Sequence, residues 1–548
     1  MMKKLSLPLL AIIILGFVLR VLLLDKFPPS LNWDEVSHGY NAYSILKTGH
    51  DEWGKFLPIT NFRAYGDYPL PLNLYLTIPF VFVFGLTEFA IRFPHAILGT
   101  LTLISVYYLA FGVTKDKRIG LLACFLASFT PWYLFTSRFV LQSNLSVFLL
   151  TSAMALFFNR EKHKLLLPFS FLCLGLTLFS YHSTRIFTPL LLLPLVALYG
   201  KEIRKNILSL SIISLFFIPL PFILLNPEAR ARSNAVFLVN VGAVNEIIEQ
   251  RNTSNLPAEI KRLIYNRPVY LLTQFSKNYV DYFSPQFLFL EGGTQYQFSV
   301  PHTGLLYFVN LPFFYLGLYF VLRKAFKGDK NFIIIIVWLL LAPIPASLTT
   351  ERFAVLRSSA MLPLPEIFTA LGLLSILDWL KSRKINIILP AAIYLLLLGV
   401  FFESYLINYF TNYSVDYSWS WQYGYKQVVE YTKDNYVKYD KIIFTKKYGE
   451  PHEYVLFYNH WDAESYVNDS NLIRFNQSNW WWVDRFDKYY FVNDWSVKNL
   501  ILENGDEINC KESKCLLVTS PGNAQDNWNK LETINFLDGQ PVFEIYEN

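Results

Sequence analysis

Long apolar runs separated by short polar segments extend through the first 403 residues, beginning with MMKKLSLPLLAIIILGFVLRVLLLD. Several runs approach or exceed the length of about 20 residues that a helix needs to cross a hydrocarbon core about 30 Å thick. The first run has a basic start but no small-residue cleavage site, which indicates an uncleaved anchor. The pattern predicts a polytopic α-helical membrane protein.

The pattern changes beyond residue 404. Short alternating stretches such as KIIFTKK and YVLFYN replace the long apolar runs, and eight of the 13 Trp lie in this region. Alternation with a period of two is typical of half-buried strands. We therefore predict a transmembrane domain over 1–403, with outer loops 25–94 and 226–303, followed by an extracytoplasmic α/β domain over 404–548.

Composition and charge support a membrane protein and exclude one class of partner. Hydrophobic residues make up 53% of the chain and charged residues only 16%, which is too apolar for an ordinary soluble enzyme of this length. The net charge of +6 comes from short basic clusters between the apolar runs, as the positive-inside rule requires. Because the clusters form no continuous stripe, we predict no nucleic-acid partner.

The basic clusters also predict how the chain crosses the membrane. Placing all of them on the cytoplasmic side gives 11 crossings, a cytoplasmic N-terminus and an extracytoplasmic C-terminal domain in the cell membrane. The predicted crossings are the first run, a run after the first outer loop, and runs near 119–134, 144–158, 165–180, 186–199, 206–225, 304–322, 331–348, 360–378 and 385–403. Segment 70–86 is excluded, because it is short and proline-rich; we expect it to lie along or dip into the outer leaflet.

An adjacent pair of carboxylates, Asp34 and Glu35 in LNWDEVSHGY, follows the first apolar run. The next residues, EVSHGYNAYSILKTG, predict a short amphipathic helix that ends at Gly49. The pair would then lie at the helix N-terminus, where the helix dipole stabilises negative charge. The residues alone leave two readings open, a helix cap and a catalytic pair.

The order of motifs in this region carries a family resemblance. An apolar anchor is followed by W-D-E, an amphipathic helix, GDYPLP, an apolar surface helix and FGLTEFAIRFP; PWYLFTSR lies further on. This order resembles the first outer loop of membrane glycosyltransferases with the C-type fold. Protein O-mannosyltransferases and lipid A aminoarabinose transferases are the most similar branches. The resemblance covers about the first 230 residues.

The resemblance implies a reaction and its acidic residues. Asp34 occupies the position of the carboxylate that activates the acceptor, Glu35 completes a D-E pair, and Asp67 matches an acidic residue before a proline-containing stretch. The implied reaction is inverting transfer of a sugar, hexosyl or pentosyl, from a polyprenyl-phosphate donor. The acceptor would be a protein, a lipid or a glycan.

We predict no required cofactor. In the oligosaccharide-transferring branch, carboxylates that follow the Ser-Arg turn help to bind a metal. Here Ser137 and Arg138 are followed by Gln142, Ser143 and Asn144. The resemblance therefore makes a divalent metal doubtful, and no phosphate-binding glycine loop is found.

Three arginines are candidates for the donor phosphate: Arg357, Arg185 and Arg138. Arg suits a phosphate because its guanidinium donates two parallel hydrogen bonds. Arg357 lies on the predicted outer side, where basic residues are disfavoured, and resembles the arginine that meets the lipid phosphate in related oligosaccharyltransferases. The alternative for each is an arginine that extends towards lipid headgroups.

Further residues of the outer loops are candidates for the acceptor or sugar site. They are Trp33, His38, Glu88, Arg92 and His302. A tryptophan beside the carboxylates is typical of a sugar-stacking surface, but also of the aromatic belt at a membrane interface. A lone histidine is more often structural than functional.

The sequence leaves two alternative functions and one possible disulfide undecided. A transporter or flippase for lipid-linked sugars would place ionisable residues near the middle of the bilayer. A non-catalytic carbohydrate-binding protein would use the C-terminal domain alone. Cys510 and Cys515 can form a disulfide if that domain is extracytoplasmic.

Overall fold

The computed structural model describes residues 6–478 and 480–548, so the basic pair at positions 3 and 4 lies outside the described residues. In the first part of the chain the helices are α1 Leu7–Val21, α2 Trp33–Thr48, α3 Pro71–Phe84, α4 Glu88–Thr114, α5 Lys117–Phe129, α6 Pro131–Thr136, α7 Gln142–Phe158, α8 Leu166–Thr177, α9 Thr184–Arg204, α10 Ile207–Phe217 and α11 Leu220–Leu225. They are followed by α12 Pro227–Val236, α13 Val241–Thr253, α14 Ala258–Ile264, α15 Arg267–Asp281, α16 Leu311–Phe326, α17 Lys330–Leu341, α18 Ile344–Ser347, α19 Leu364–Ser382 and α20 Ile388–Ile407.

Within the described residues, six helical segments are long and apolar enough to cross a membrane. They are Glu88–Thr114, Thr184–Arg204, Ile207–Leu225, Lys330–Ser347, Ser359–Ser382 and Ile388–Asp416. The apolar helices α1, α3, α7 and α8 are shorter. The prediction of a multi-pass membrane protein is confirmed, while the count of 11 crossings stays a prediction.

Prolines divide two of the predicted crossings. The run 206–225 is split into α10 and α11 at Pro219, and the run 331–348 into α17 and α18 at Pro343. A proline interrupts a helix because it has no N–H to donate and its ring crowds the preceding turn. Helix α3 has only 14 residues and is therefore about 21 Å long, shorter than the hydrocarbon core. Its position relative to the bilayer stays a prediction.

The chain forms two compact units. The membrane unit contains the residues up to Leu22, His95–Ser137 and Leu141–Ile407. The sheet unit contains Leu23–Pro94, Arg138–Val140 and Asn408–Asn548. The first outer loop thus clusters with the C-terminal residues, whereas the sequence-based division at residue 404 had assigned it to the transmembrane domain.

Shared apolar burial explains why the first loop belongs to the sheet unit. Val36 and Tyr40 of α2 are fully buried in one cluster with Tyr454 and Phe457 of the C-terminal region. The Tyr40 hydroxyl donates to the Trp461 carbonyl at 3.2 Å. Because burying such side chains contributes roughly 1.5–3 kcal/mol each, the loop and the C-terminal domain stabilise one core.

The C-terminal part of the sheet unit is an α/β fold, as predicted. Its helices are α21 Ser414–Asp416, α22 Tyr425–Asp434, α23 Pro451–Tyr458 and α24 Ala463–Val467. Its strands are β1 Lys441–Thr445, β2 Ile473–Gln477, β3 Trp480–Phe486, β4 Tyr489–Val492, β5 Cys515–Thr519, β6 Asn529–Asn535 and β7 Pro541–Glu547. They form one sheet in the order β2-β3-β4-β1-β5-β7-β6.

The centre of this sheet is buried on both faces. Strand β1 pairs in parallel with β4 and β5, and the outer pairs are antiparallel. Ile442 and Phe444 pack into one apolar cluster and Ile443 into another, because successive strand side chains point to opposite faces. Cys510 is joined by a disulfide to Cys515, the first residue of β5.

Candidate active site

A capping box starts α2 at the predicted acidic pair. The Glu35 amide donates to the Asn32 side-chain oxygen at 3.0 Å, and the Asn32 amide donates to Glu35 Oε2 at 3.3 Å. The helix ends before Gly49, which has a φ of 75°, as the sequence predicted. The cap residue is therefore Asn32, and the helix start does not require Asp34.

Glu35 is closed off in a buried ion pair. Arg92 donates from Nε to Glu35 Oε1 and from Nη2 to Oε2, both at 2.9 Å, and both side chains are fully buried. The Val140 amide is a second donor to Oε1, at 3.1 Å. Arg92 also donates to the carbonyls of Leu24 and Pro28. This arrangement fixes the first loop, and it leaves Glu35 and Arg92 enclosed by protein.

Asp34, the neighbouring residue, is exposed. Its Oδ1 accepts a hydrogen bond from the Tyr65 hydroxyl. Burial of Tyr65, followed by the charge of Asp34, raises the pKa of Tyr65 well above its ordinary value. Tyr65 thus stays protonated and remains a donor. The result is a solvent-accessible carboxylate whose orientation is set by a buried phenol.

Aromatic rings surround this hydrogen bond. The ring of Tyr65 stacks on Trp480 of β3, with centroids 5.2 Å apart and planes at 26°. Trp33 meets Tyr65 edge-on at 6.3 Å. A Cβ on Gly449 would lie 2.2 Å from the Trp33 ring, so Trp33 packs directly on backbone. Trp33 is half-buried beside Asp34 and retains a partly open ring.

Asp67 belongs to the turn that carries Tyr65. Its Oδ1 accepts from the Tyr68 amide at 2.8 Å, and its carbonyl accepts from the Ala64 amide at 3.0 Å. These bonds hold the short segment between Ala64 and Tyr68 in a closed turn. Asp67 therefore stabilises the turn that follows Tyr65, the residue that bonds to Asp34.

His38 and Glu88 have structural partners in the same unit. His38 Nε2 is 2.8 Å from the Thr77 hydroxyl of α3, and burial lowers the pKa of His38 to about 3, so the ring is neutral at physiological pH. Glu88 accepts from Lys426 at 2.7 Å. His38 is thus a neutral, buried group, and the charge of Glu88 is paired with Lys426.

Arg138 is almost completely buried in the sheet unit. Its Nε donates to the Tyr409 hydroxyl at 3.2 Å, and Nη2 donates to the carbonyls of Leu23 and Phe27 at 3.4 and 3.3 Å. Its guanidinium lies 5.5 Å from the ring centres of Tyr409 and Phe410. These contacts make Arg138 a connector of the chain segments that meet in this unit.

The other predicted cations lie in the membrane unit. Arg185, in the first turn of α9, is buried; its Nε donates to the Leu178 carbonyl at 3.1 Å, while Nη1 has no hydrogen-bond partner among the described residues. Arg357 forms an ion pair with Glu351, and both side chains are partly buried. His302 is exposed and has a φ of 55°. Arg185 is the cation with an unused buried donor, which is what a phosphate oxygen would satisfy.

Sequence reasoning missed a group of buried ionisable residues around β3. Burial raises the pKa of Glu52 and of Glu450 to about 7, and it raises the pKa of Glu453 well above its ordinary value. Burial also lowers the pKa of His452, which lies 3.5 Å from Glu450 and 3.8 Å from Glu453. The run of three tryptophans in β3 was a visible signal, because it places a large indole on both faces of the strand. Over residues 6–478 and 480–548, no cluster of His, Cys, Asp and Glu could hold a metal ion.

Comparison with known proteins supports the resemblance found in the first loop. Residues 10–227 match the family model of dolichyl-phosphate-mannose-protein mannosyltransferase. The structure of ArnT from Cupriavidus metallidurans in the apo state superposes with a TM-score of 0.52 at 11% identity, covering 99% of this chain and 97% of that one. The chain has the C-type fold of membrane glycosyltransferases. The predicted family resemblance is therefore confirmed.

Two further structures share this C-type fold. ArnT bound to undecaprenyl phosphate gives a TM-score of 0.50 at 11% identity, with the same coverage. The Archaeoglobus fulgidus oligosaccharyltransferase in complex with Zn and sulfate gives 0.50 at 16% identity, covering 83% of this chain and 61% of that one. The chain thus spans about three fifths of the archaeal protein. No curated protein sequence is significantly similar to it.

Proposed function

We propose that the protein transfers a sugar from a polyprenyl-phosphate donor to an acceptor hydroxyl, with inversion, and that Asp34 is the general base. The observation that carries the proposal is the contrast within W-D-E: Glu35 is sealed in an ion pair, whereas Asp34 is an exposed carboxylate oriented by Tyr65. A general base must be accessible to the proton that it removes. Asp34 meets that condition and Glu35 does not.

The donor class is supported by the proteins that share the fold. The matching family model is named for dolichyl-phosphate mannose, and one of the similar structures is ArnT with undecaprenyl phosphate. A lipid-linked donor also fits a multi-pass protein, because the polyprenyl tail can stay in the bilayer while the head group reacts at its surface. The transferred group would be a hexose or pentose, and the acceptor a protein, lipid or glycan.

The proposed reaction needs one base and one anion site. The acceptor oxygen attacks the anomeric carbon as its proton passes to Asp34, and the bond from that carbon to the phosphate oxygen breaks. The electron pair leaves with polyprenyl phosphate, so the products are a glycoside and the polyprenyl monophosphate. Guanidinium groups stabilise the leaving phosphate. Arg185 and Arg357 are proposed for this role, Arg185 first because its Nη1 has no described partner.

The remaining predicted site residues take supporting roles in this proposal. Glu35 and Arg92 hold the loop that presents Asp34, and Asp67 holds the turn of Tyr65. Arg138 uses its donors on carbonyls within the sheet unit, so we assign it a structural role. Asp34 and the sheet unit are proposed to lie on the extracytoplasmic side.

One observation favours the transporter alternative. Glu366, at the start of α19 within a candidate crossing, is buried, and neither carboxyl oxygen bonds to another described residue. Ionisable residues inside the bilayer are expensive and often mark a transport pathway. A lipid-linked sugar carrier is therefore the second candidate function.

The deciding experiment uses the full-length protein in detergent and in vesicles. It is incubated with radiolabelled undecaprenyl-phosphate sugars and a membrane extract, with and without EDTA. We expect labelled acceptor and free undecaprenyl phosphate, and equal rates with EDTA because no metal is required. Movement of the labelled lipid between leaflets without transfer would instead support the carrier.

A further inference from the structure

The C-terminal domain contacts the group that orients Asp34. Strand β3 contributes Trp480, whose indole stacks on Tyr65. A Cβ on Gly66 would lie only 2.1 Å from that indole, so the turn after Tyr65 lies flat against the ring. Tyr65 is 4% exposed. Its position is therefore set largely by Trp480.

Trp480 is itself held from the other side. Its Nε1 donates to Glu450 Oε1, and Glu450 is almost completely buried just before α23. Burial raises the pKa of Glu450 to about 7, but a carboxyl oxygen accepts this bond in either protonation state. A continuous series of contacts runs from Glu450 through Trp480 and Tyr65 to Asp34.

Helix α23 also holds the helix that carries Asp34. The Tyr454 hydroxyl donates to the Leu31 carbonyl at 3.3 Å. A Cβ on Gly39 would lie 2.6 Å from the Phe457 ring, so α2 and α23 approach closely at that point. The backbone of α2 and the side chain of Asp34 are thus supported by the same C-terminal segment.

We propose that Trp480 and Glu450 are positioning residues that act through Tyr65 to hold Asp34 in its reactive orientation. The inference rests on the proposed function, and it gives the C-terminal domain a role in the catalytic step. A displacement of about 1 Å in a reacting group can reduce turnover roughly 10²-fold. The stacked ring and the buried acceptor provide the rigid support that such precision needs.

The test compares paired variants of the full-length protein. Tyr65→Phe removes one oxygen, and we expect turnover to fall about tenfold, as for loss of one hydrogen bond to a charged group. Trp480→Ala should lower turnover roughly 10- to 100-fold. Both should leave the KM for the lipid donor unchanged, because neither substitution alters Arg185 or Arg357, the residues proposed to bind the donor phosphate. Both should also move the acidic limb of the pH–rate profile to higher pH, since the Asp34 carboxylate loses its donor.

Two controls separate positioning from general stability. Glu450→Gln keeps an acceptor for Trp480 and should retain near-normal turnover, whereas Glu450→Ala should lose it. Trp528→Ala removes a buried tryptophan of the other apolar cluster of the sheet, the one that contains Ile443, and should not move the acidic limb. Thermal unfolding identifies any variant that fails to fold. If Trp480→Ala does not fold, the comparison of Glu450→Gln with Glu450→Ala decides the outcome.

Each result has one interpretation. Normal turnover and an unmoved pH profile in Tyr65→Phe and Glu450→Ala, with an inactive Asp34→Asn, would overturn the positioning role and leave the proposed base intact. Full activity of Asp34→Asn would overturn the proposed mechanism itself. A KM effect alone, with turnover unchanged, would show that Trp480 binds substrate rather than positions the base.

Discussion

The two carboxylates in the first turn of α2 differ in their exposure to solvent. On one side, Glu35 has Arg92, the Val140 amide and the Asn32 amide as partners, and none of its surface reaches solvent. On the other side, Asp34 is exposed and is bonded to Tyr65. The residues are adjacent, but successive helical side chains point about 100° apart.

This difference shows why the acidic pair cannot be treated as one unit. Two carboxylates next to each other suggest a shared function, yet one closes a buried network and the other opens to solvent. A buried, fully paired charge is retained because removing its partner is costly. An exposed carboxylate held by a buried donor is better suited to take up a proton. The distinction depends on tertiary partners rather than on residue type.

The largest effect is expected for Asp34→Asn. Because Asn32 is the cap, the substitution should change the free energy of unfolding by less than about 0.5 kcal/mol. Turnover should fall roughly 10²- to 10⁴-fold, since the base is lost. Turnover measured with a labelled lipid donor, alongside thermal unfolding, checks both statements. Near-normal transfer would contradict the assignment of Asp34 as the general base.

Glu35→Gln should act on the other side of the comparison, through stability. It leaves the Arg92 guanidinium buried without a countercharge, and we expect a loss of about 3–5 kcal/mol in the free energy of unfolding. Lys426→Gln is the matched control, because it breaks the more exposed pair with Glu88 and should cost at most about 1 kcal/mol. If Glu35→Gln kept its stability but abolished turnover, Glu35 would have to share in the chemistry.

A smaller effect is expected for the pH dependence of stability. It compares Glu35, which is paired with Arg92, with the buried carboxyls of Glu52 and Glu450. Burial raises the pKa of Glu52 and Glu450 to about 7, from 4.5, although Arg474 and Lys446 act in the opposite direction. Their contribution to folding is fully present below pH 4.5 and is lost as the pH rises through 7. Unfolding of the sheet unit, followed by tryptophan fluorescence, should therefore become easier between pH 5 and about pH 8. Glu450→Gln should flatten this dependence, and an unchanged pH profile would contradict the raised pKa.

Local sequence patterns predicted the helices and strands, but they did not predict the long-range contacts. The amphipathic helix and its end at Gly49 were readable because capping and periodicity act within a few residues. The alternation in KIIFTKK similarly indicated β1. The Asn32–Glu35 capping box was local as well, but the acidic pair drew the interpretation to Asp34.

The support of Asp34 could not be found in this way. Tyr65 and Trp480 stack across more than 400 positions of sequence, and nothing in either neighbourhood indicates the other. The same holds for Arg92 and Glu35, since an arginine near a predicted crossing fits a sugar site or lipid headgroups equally well. Burial alone distinguished these roles.

The joining of Leu23–Pro94 with Asn408–Asn548 also has a consequence for biosynthesis. Roughly 300 residues lie between these segments, and a ribosome adding about 5–20 residues per second needs some 15–60 s to make them. Throughout that interval the nascent loop carries Val36 and Tyr40 without their later neighbours Tyr454 and Phe457. The apolar side chains of the loop therefore stay exposed until the C-terminal segment is made. Truncated or slowly translated chains should first show a defect as increased chaperone binding during translation.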